Sequence, residues 1–427
     1  MVREFTELPP LSLYVHIPWC VRKCPYCDFN SHEARGDIPE DNYVDALLAD
    51  LAAEMPSVWG RTLHSVFIGG GTPSLFSAAA IDRLMSGIRA LTGLAPNAEV
   101  TMEANPGTFE QARFSEYRKS GINRLSIGVQ SFNSQSLKNL GRVHSAEEAT
   151  RAVGIAHEAG FDEINLDLMF ALPEQNLEAA LLDVDQALSL QTTHLSCYEL
   201  TLEPNTLFAR FPPARPDDDL RADMQNAIVE RLATNHFERY EISAYARIDN
   251  TRSSAQRGSL HRSQHNMNYW QFGDYLGIGA GAHGKISAAD SGQIVRRWKH
   301  KHPAKYLAAS SQAERIGGET AIPTGDSALE FMMNALRLIE GFPIPLFELH
   351  TGTSLMPWQG VIEEATQKGL LEQQGLNLKA TPTGINWLNS LLELFLESPT
   401  NQPNHPGTSP TIEEKRYPII PLNLVKK

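Results

Sequence analysis

Cysteine is scarce in this chain, with four among 427 residues. Three of them stand together at Cys20, Cys24 and Cys27, and Cys197 is alone. That distribution excludes a disulfide framework. It points to a reducing cytoplasm, where a tight thiol group binds metal or does chemistry. Long apolar runs are missing too. None reaches the roughly 18–20 residues that span a bilayer, so no transmembrane segment is expected. The opening "MVREFTELPPLSLYV" shows neither the apolar core nor the cleavage pattern of a signal peptide. Positive charge is in deficit: the formal net charge is −13 and the pI about 5.6. This argues against a nucleic-acid partner and against attachment to an anionic membrane. What is present, 42% hydrophobic and 20% charged residues, suits one large domain with one or two smaller units.

Up to about residue 245 the chain alternates. Short β-branched or apolar runs, "LSLYVHI" (11–17), "LHSVFIG" (63–69), "AEVTME" (98–103), "NRLSIGV" (123–129), "EINLDLMF" (163–170) and "THLSCYEL" (193–200), predict strands. Amphipathic stretches between them, such as 41–55, 79–93, 108–121, 145–160 and 177–190, predict helices. Strand–helix alternation implies right-handed βαβ units and a parallel sheet. Six units make an open or partial (β/α) barrel, and two Rossmann-like halves fit the period equally well. In either case functional groups gather at the C-terminal ends of the strands.

The chemistry-bearing residues fall there. Cys20, Cys24 and Cys27 follow the first strand as C-x3-C-x2-C. "GGGTPS" closes the second, Glu103 tips the third, Gln130 ends the fourth and Asp167 lies on the fifth. Each has an ordinary explanation as a turn or helix cap. Their coincidence on one face is what suggests a site. Three thiols leave a tetrahedral metal one ligand short. His16, His32 or Cys197 would complete a closed zinc site. The alternative is a cubane iron–sulfur cluster with three irons held by thiolates and the fourth open to a small molecule.

The C-x3-C-x2-C loop with Tyr26 before the last cysteine resembles the cluster motif of radical S-adenosylmethionine enzymes. "LYVHIPWC", "CPYC", "FIGGGTPS", "RLSIGVQSF" and "ALPEQ" narrow the resemblance to the oxygen-independent coproporphyrinogen III oxidase-like family, over about residues 11–390. It implies an α/β fold, a partial (β/α)6 barrel with a small C-terminal helical, winged-helix-like domain. It implies a 4Fe-4S cluster on Cys20, Cys24 and Cys27, whose open iron takes the amino and carboxylate groups of S-adenosyl-L-methionine. Tyr14, Gly70 and Glu103 match contacts to that molecule. Gly71, Thr72, Gln130, Arg142 and Asp167 match polar positions of the same cavity, and Tyr26 an aromatic near the adenosyl group. The oxidases carry a further cysteine two residues after the third ligand. Here that residue is Phe29, which resembles the heme-chaperone branch, HemW. "HNMNYW" (265–270) resembles that branch's H-N-x-x-Y-W motif, which implies heme at His265, Tyr269 and Trp270. His261 and His283 are alternative ligands.

The resemblance thus implies a heme chaperone that hands heme to apo-hemoproteins such as respiratory enzymes, without coproporphyrinogen oxidase activity. Oxidative decarboxylation of propionates is the alternative. A radical enzyme acting on RNA is disfavoured by the acidic charge. Self-association as a homodimer stays open. The expected organisation is a barrel core over 1–245 and a connecting segment over 246–325. The segment carries the motif, the Gly-rich "GAGAHG" closing over the barrel mouth, and the basic "RRWKHKHPAKY" (296–306). A helical cap over 326–397 and a flexible tail over 398–427 complete it.

Overall fold

The computed structural model describes residues 3–107, 111–248 and 261–396. Part of the polar stretch after 247 and the tail from 398 lie outside the described residues. The described chain builds one twelve-stranded sheet and two small ones. Six strands occupy the expected runs: β1 (Leu11–Ile17), β2 (Thr62–Gly70), β3 (Gly93–Ala104), β4 (Arg124–Gln130), β5 (Glu163–Phe170) and β6 (His194–Glu199). They pair in parallel in chain order. Strands of such a sheet are covered on both faces, which is why they read as apolar runs. On β1, Leu13, Val15 and Ile17 join the main core. Ser12, Tyr14 and His16 alternate onto the other, inner face.

Helices α1 (Glu40–Glu54), α2 (Ala78–Leu91), α3 (Phe114–Lys119), α4 (Ala146–Glu158) and α5 (Leu177–Ser189) link the strands. Their starts are set by local chemistry. Ser77 accepts from Ala80 N, Asn176 accepts from Ala179 N, and Ser145 with Glu148 forms a capping box. After α6 (Asp218–Thr234), the antiparallel pair β7 (Phe237–Arg239) and β8 (Ala244–Arg247) extends the sheet beside β6.

The other edge departs from expectation. After α7 (Gln264–Trp270), the chain returns as β9 (Asp274–Ile278), a further parallel strand paired with β1. Strands β10 (His283–Ala288), β11 (Gln293–Lys299) and β12 (Ile316–Ala321) continue it antiparallel. The Gly-rich stretch is therefore part strand and part turn, and the basic segment begins on β11. A buried ion cluster fixes this edge. Lys299 Nζ bonds Asp50 at 2.5 Å and Glu54 at 2.7 Å, and Tyr306 Oη donates to Asp50.

The C-terminal part runs α8 (Ser327–Ala335), α9 (Ile344–Thr351), α10 (Gln359–Gln367) and a hairpin of Leu371–Gln374 with Asn377–Ala380. Short helices at Pro382–Asn386 and Leu388–Glu393 follow. A second core around Phe331, Phe347 and Leu391 draws in Phe272 and Ile294, so this unit is packed onto the extension strands.

Candidate cluster and S-adenosylmethionine site

Five of the parallel strands, β1 to β5, lead to one cavity. It is lined by the loop after β1, the Gly-rich end of β2, and side chains from β3, β4 and β5. Cys20, Cys24 and Cys27 are half-buried in its wall, and a turn from Cys27 N to Cys24 O shapes their loop. Burial, only partly offset by a hydrogen bond with Thr72, pushes the Cys20 thiol up to about 11. Burial raises Cys27 as well. Such thiols become thiolates readily only beside a strong positive charge, which a metal centre supplies.

The candidates for a fourth zinc ligand are all engaged elsewhere. His16 has both ring nitrogens in hydrogen bonds, to Tyr14 Oη and Asn30 O, each at 2.9 Å. His32 bonds Asn30 Oδ1 and packs its ring on His302. Cys197 lies in the main core, and burial holds its thiol up at about 12. Among the described residues no three His, Cys, Asp or Glu side chains are gathered for a single metal ion. A donor set of three spaced thiols with open space before them fits a polynuclear cluster better than one zinc.

The rest of the wall explains its local sequence. Gly71 N donates to Ile17 O and Thr72 N to Trp19 O, locking the β2 turn to the root of the cysteine loop. A Cβ at Gly71 would sit 2.5 Å from Trp19 O, and Gly70 has φ 116°. The glycines are thus required by backbone approach and by a left-handed turn. Gly70 N donates to Glu103 Oε2 at 3.2 Å, and Asn105 Nδ2 donates to Thr72 Oγ1. A register shift at Gly128/Gln130 accompanies φ 70° at Gln130, which lines the cavity. Asp167 accepts from Ser126 Oγ and Asn165 Nδ2. Arg142 Nη2 donates to Asn105 Oδ1 and Gly128 O, and Nη1 points at Cys24 Sγ, 3.7 Å away. Its guanidinium therefore stands beside Cys24 as a fixed cation. Tyr26 lines the same wall and packs toward Phe208.

Of the residues singled out from sequence, the cavity gathers Cys20, Cys24, Cys27, Tyr26, Gly70, Gly71, Thr72, Glu103, Gln130, Arg142 and Asp167. Tyr14 is not in its lining; it lies deeper on the inner face, stacked on Phe67. Asn105, Ser126, Tyr198 and Glu203 line it and were not foreseen. Ser126 was findable, since it alternates with Gly128 and Gln130 on one face of β4. At the "ALP" turn, Ala171 adopts φ 55°. A left-handed alanine costs about 1 kcal/mol against glycine.

The "HNMNYW" segment is elsewhere. Helix α7 sits at the opposite end of the barrel, over the starts of β1, β2 and β3. Glu99 accepts from Gln264 N and His265 N, and Asn268 Nδ2 donates to Ser12 Oγ. His265 bonds Ser65 Oγ through Nδ1, packs on Phe67 and is only 9% exposed. Burial pushes its imidazole down to about 3. Trp270 is buried under the Arg337 guanidinium, while Tyr269 is half-buried against Tyr275. The chamber that Trp270 lines holds about 30 Å3, room for a water or two and far below a ligand pocket of roughly 300–1,000 Å3. His261 bonds Glu163 at 2.7 Å. The 279–282 turn does not line the cavity. It packs beside the cysteine loop, with Asn30 Nδ2 donating to Ala280 O.

An open parallel sheet carrying three loop cysteines at its C-terminal end defines the class. The Radical SAM superfamily pattern matches residues 14–185, and the HemN C-terminal domain pattern matches residues 323–387. The chain belongs to the HemW heme chaperone family. It is 47% identical over 390 residues to heme chaperone HemW of Escherichia coli (strain K12), covering 91% of this chain and 99% of that one. HemW of Haemophilus influenzae is also 47% identical, over 394 residues, 91% of this chain and 99% of that one. Coproporphyrinogen III oxidase (HemN) from Escherichia coli, a radical SAM enzyme, superposes with a TM-score of 0.75. The match covers 91% of this chain and 90% of that one at 24% identity, so what is shared is the fold.

Proposed function

We propose that this chain is a heme chaperone: it binds heme and passes it to apo-hemoproteins such as respiratory enzymes in the cytoplasm. In this reading Cys20, Cys24 and Cys27 hold a 4Fe-4S cluster. Gly70, Gly71, Thr72, Glu103, Gln130 and Asp167 line the place for S-adenosyl-L-methionine, with Tyr26 near its adenosyl end. When bound, the cluster offers an electron and an open iron to the amino and carboxylate groups of that molecule. The protein's own part is positional. The glycine turn and Glu103 fix the wall, and Arg142 holds positive charge at Cys24. The observation that carries the choice between chaperone and oxidase is Phe29. It lines the cavity where the oxidases have a further cysteine. Among the described residues no helix is long and apolar enough to cross a membrane.

Anaerobic reconstitution followed by two parallel assays tests this reading. Heme is expected to bind with a defined Soret band, and coproporphyrinogen III is expected to stay unconverted even with S-adenosylmethionine and a full cluster. Formation of protoporphyrinogen dependent on S-adenosylmethionine would overturn it.

A further inference from the structure

Resting on the S-adenosylmethionine site proposed above, we infer that Tyr240, His194 and Asn165 are positioning residues for Asp167, holding its carboxylate for the ribose hydroxyls of the bound molecule. The strand register assembles the group. Ser126 of β4 pairs with Asn165 of β5, and Asn165 pairs with His194 of β6. Asp167 follows two residues along β5 and pairs with Ser196. Side chains two apart on a strand share a face. These five therefore turn into the barrel together, where none is more than 5% exposed. Ser126 and Asp167 reach the cavity, and Asn165 and His194 stand behind them.

One carboxylate sets the direction of every bond, because an ionised carboxylate only accepts. Asn165 must turn its amide nitrogen to Asp167 Oδ1, at 2.9 Å, and its oxygen to His194. The same nitrogen donates to Ser126 Oγ, which donates to Asp167 Oδ2. With Asn165 Oδ1 as acceptor, His194 carries its proton on Nδ1, 2.6 Å away. Burial, then Arg124, pushes the His194 pKa well below the usual imidazole range. Its Nε2 is therefore an acceptor and takes the Tyr240 hydroxyl at 2.9 Å. Tyr240 Oη in turn accepts from Ser263 N at 3.4 Å. Ser263 is the N-cap of α7. The chain from Ser263 through Tyr240, His194 and Asn165 thus aims all its donors at Asp167, and aligned hydrogen bonds polarise one another.

A barrel interior is ordinarily filled by branched apolar side chains. Here the layer behind the cavity is polar and ends on a single carboxylate in the cavity wall. Ribose hydroxyls are donors, and an anchored acceptor with about four lone-pair sites meets them without rearranging. The "HNMNYW" helix, at the far end of the barrel, reaches the cavity through its N-cap.

The test is titration of the reconstituted full-length protein with S-adenosylhomocysteine and with its 2′,3′-dideoxy analogue, which lacks both ribose hydroxyls. Wild type, Asp167→Asn, His194→Leu, His194→Asn and Tyr240→Phe are compared, with iron–sulfur content and far-ultraviolet circular dichroism followed in each. Wild type should prefer the hydroxylated ligand, and Asp167→Asn should lose that preference. His194→Leu should weaken S-adenosylhomocysteine about tenfold, the worth of one hydrogen bond to a charged partner, and leave the analogue unchanged. His194→Asn, whose amide can replace the Nδ1–H donor, should restore most of the preference. Tyr240→Phe, which keeps the ring and so the packing, should lower it several-fold, and decides the matter if His194→Leu does not fold. An unchanged preference in Tyr240→Phe and His194→Leu would overturn the inference. So would equal weakening of both ligands, the mark of a merely structural role, or a wild type that does not distinguish the two. Each of these would leave the S-adenosylmethionine site standing. Failure of the cluster-loaded wild type to bind either ligand would instead sink that site.

Discussion

Replacing Cys24 with serine is expected to take the reconstituted protein from about four irons and four sulfides per chain to nearly none. The three thiols share one short loop, and among the described residues no fourth protein ligand stands ready to compensate. His16 and His32 are held by Tyr14 and Asn30. Cys24 is also the thiol beside the Arg142 guanidinium. Cys20→Ser and Cys27→Ser should behave alike. Cys197→Ala is the control, because Cys197 is a core residue of β6 and does not line the cavity. It should keep its iron at some loss of stability. Iron and sulfide assays after anaerobic reconstitution decide it. Iron retained in Cys24→Ser, or lost in Cys197→Ala, would refute the ligand assignment.

The second large effect concerns stability. Lys299→Met is expected to destabilise the protein by about 3–5 kcal/mol, the cost of stranding buried charge. Lys299 is 1% exposed and lies between Asp50 and Glu54, themselves 0% and 3% exposed. Of the two carboxylates, Arg297 bonds Glu54 and not Asp50, so Asp50 would keep just neutral donors such as Tyr306. Adding Asp50→Asn to Lys299→Met should recover part of the loss, because the stranded charge is removed with its partner. Urea unfolding measures both. An unchanged midpoint in Lys299→Met would show that this cluster does not hold the extension strands to α1.

The two ends of the molecule were unequally legible in the sequence. The cysteine loop and the tips of β2 to β5 could be read because local chemistry fixes them. Parallel strands appear as apolar runs, and the topology sends their C-terminal ends to one place. Alternation on β4 even marks Ser126 with Gln130. Tyr14 alternates with Ser12 and His16 on the inner face of β1 and does not line the cavity. The placement of α7 depends on contacts between residues far apart in the chain. Its amides meet Glu99, 165 and 166 residues away in sequence, and Ser65 meets His265 across 200. No local pattern reveals such partners. Strand β9 was hidden for a related reason. "DYLGI" beside a glycine-rich turn reads as loop until pairing with β1 makes it a strand.

The central claim, that this chain carries heme for delivery, is tested most directly by transfer. The reconstituted protein, loaded with hemin and freed of excess, would be mixed with the apo-form of a respiratory heme enzyme, and the Soret bands of donor and acceptor followed. The account predicts that heme leaves this chain and that the acceptor gains its own spectrum and activity, faster than hemin escapes to a passive scavenger. Heme that stays on this chain, or reaches the acceptor no faster than the scavenger, would contradict it.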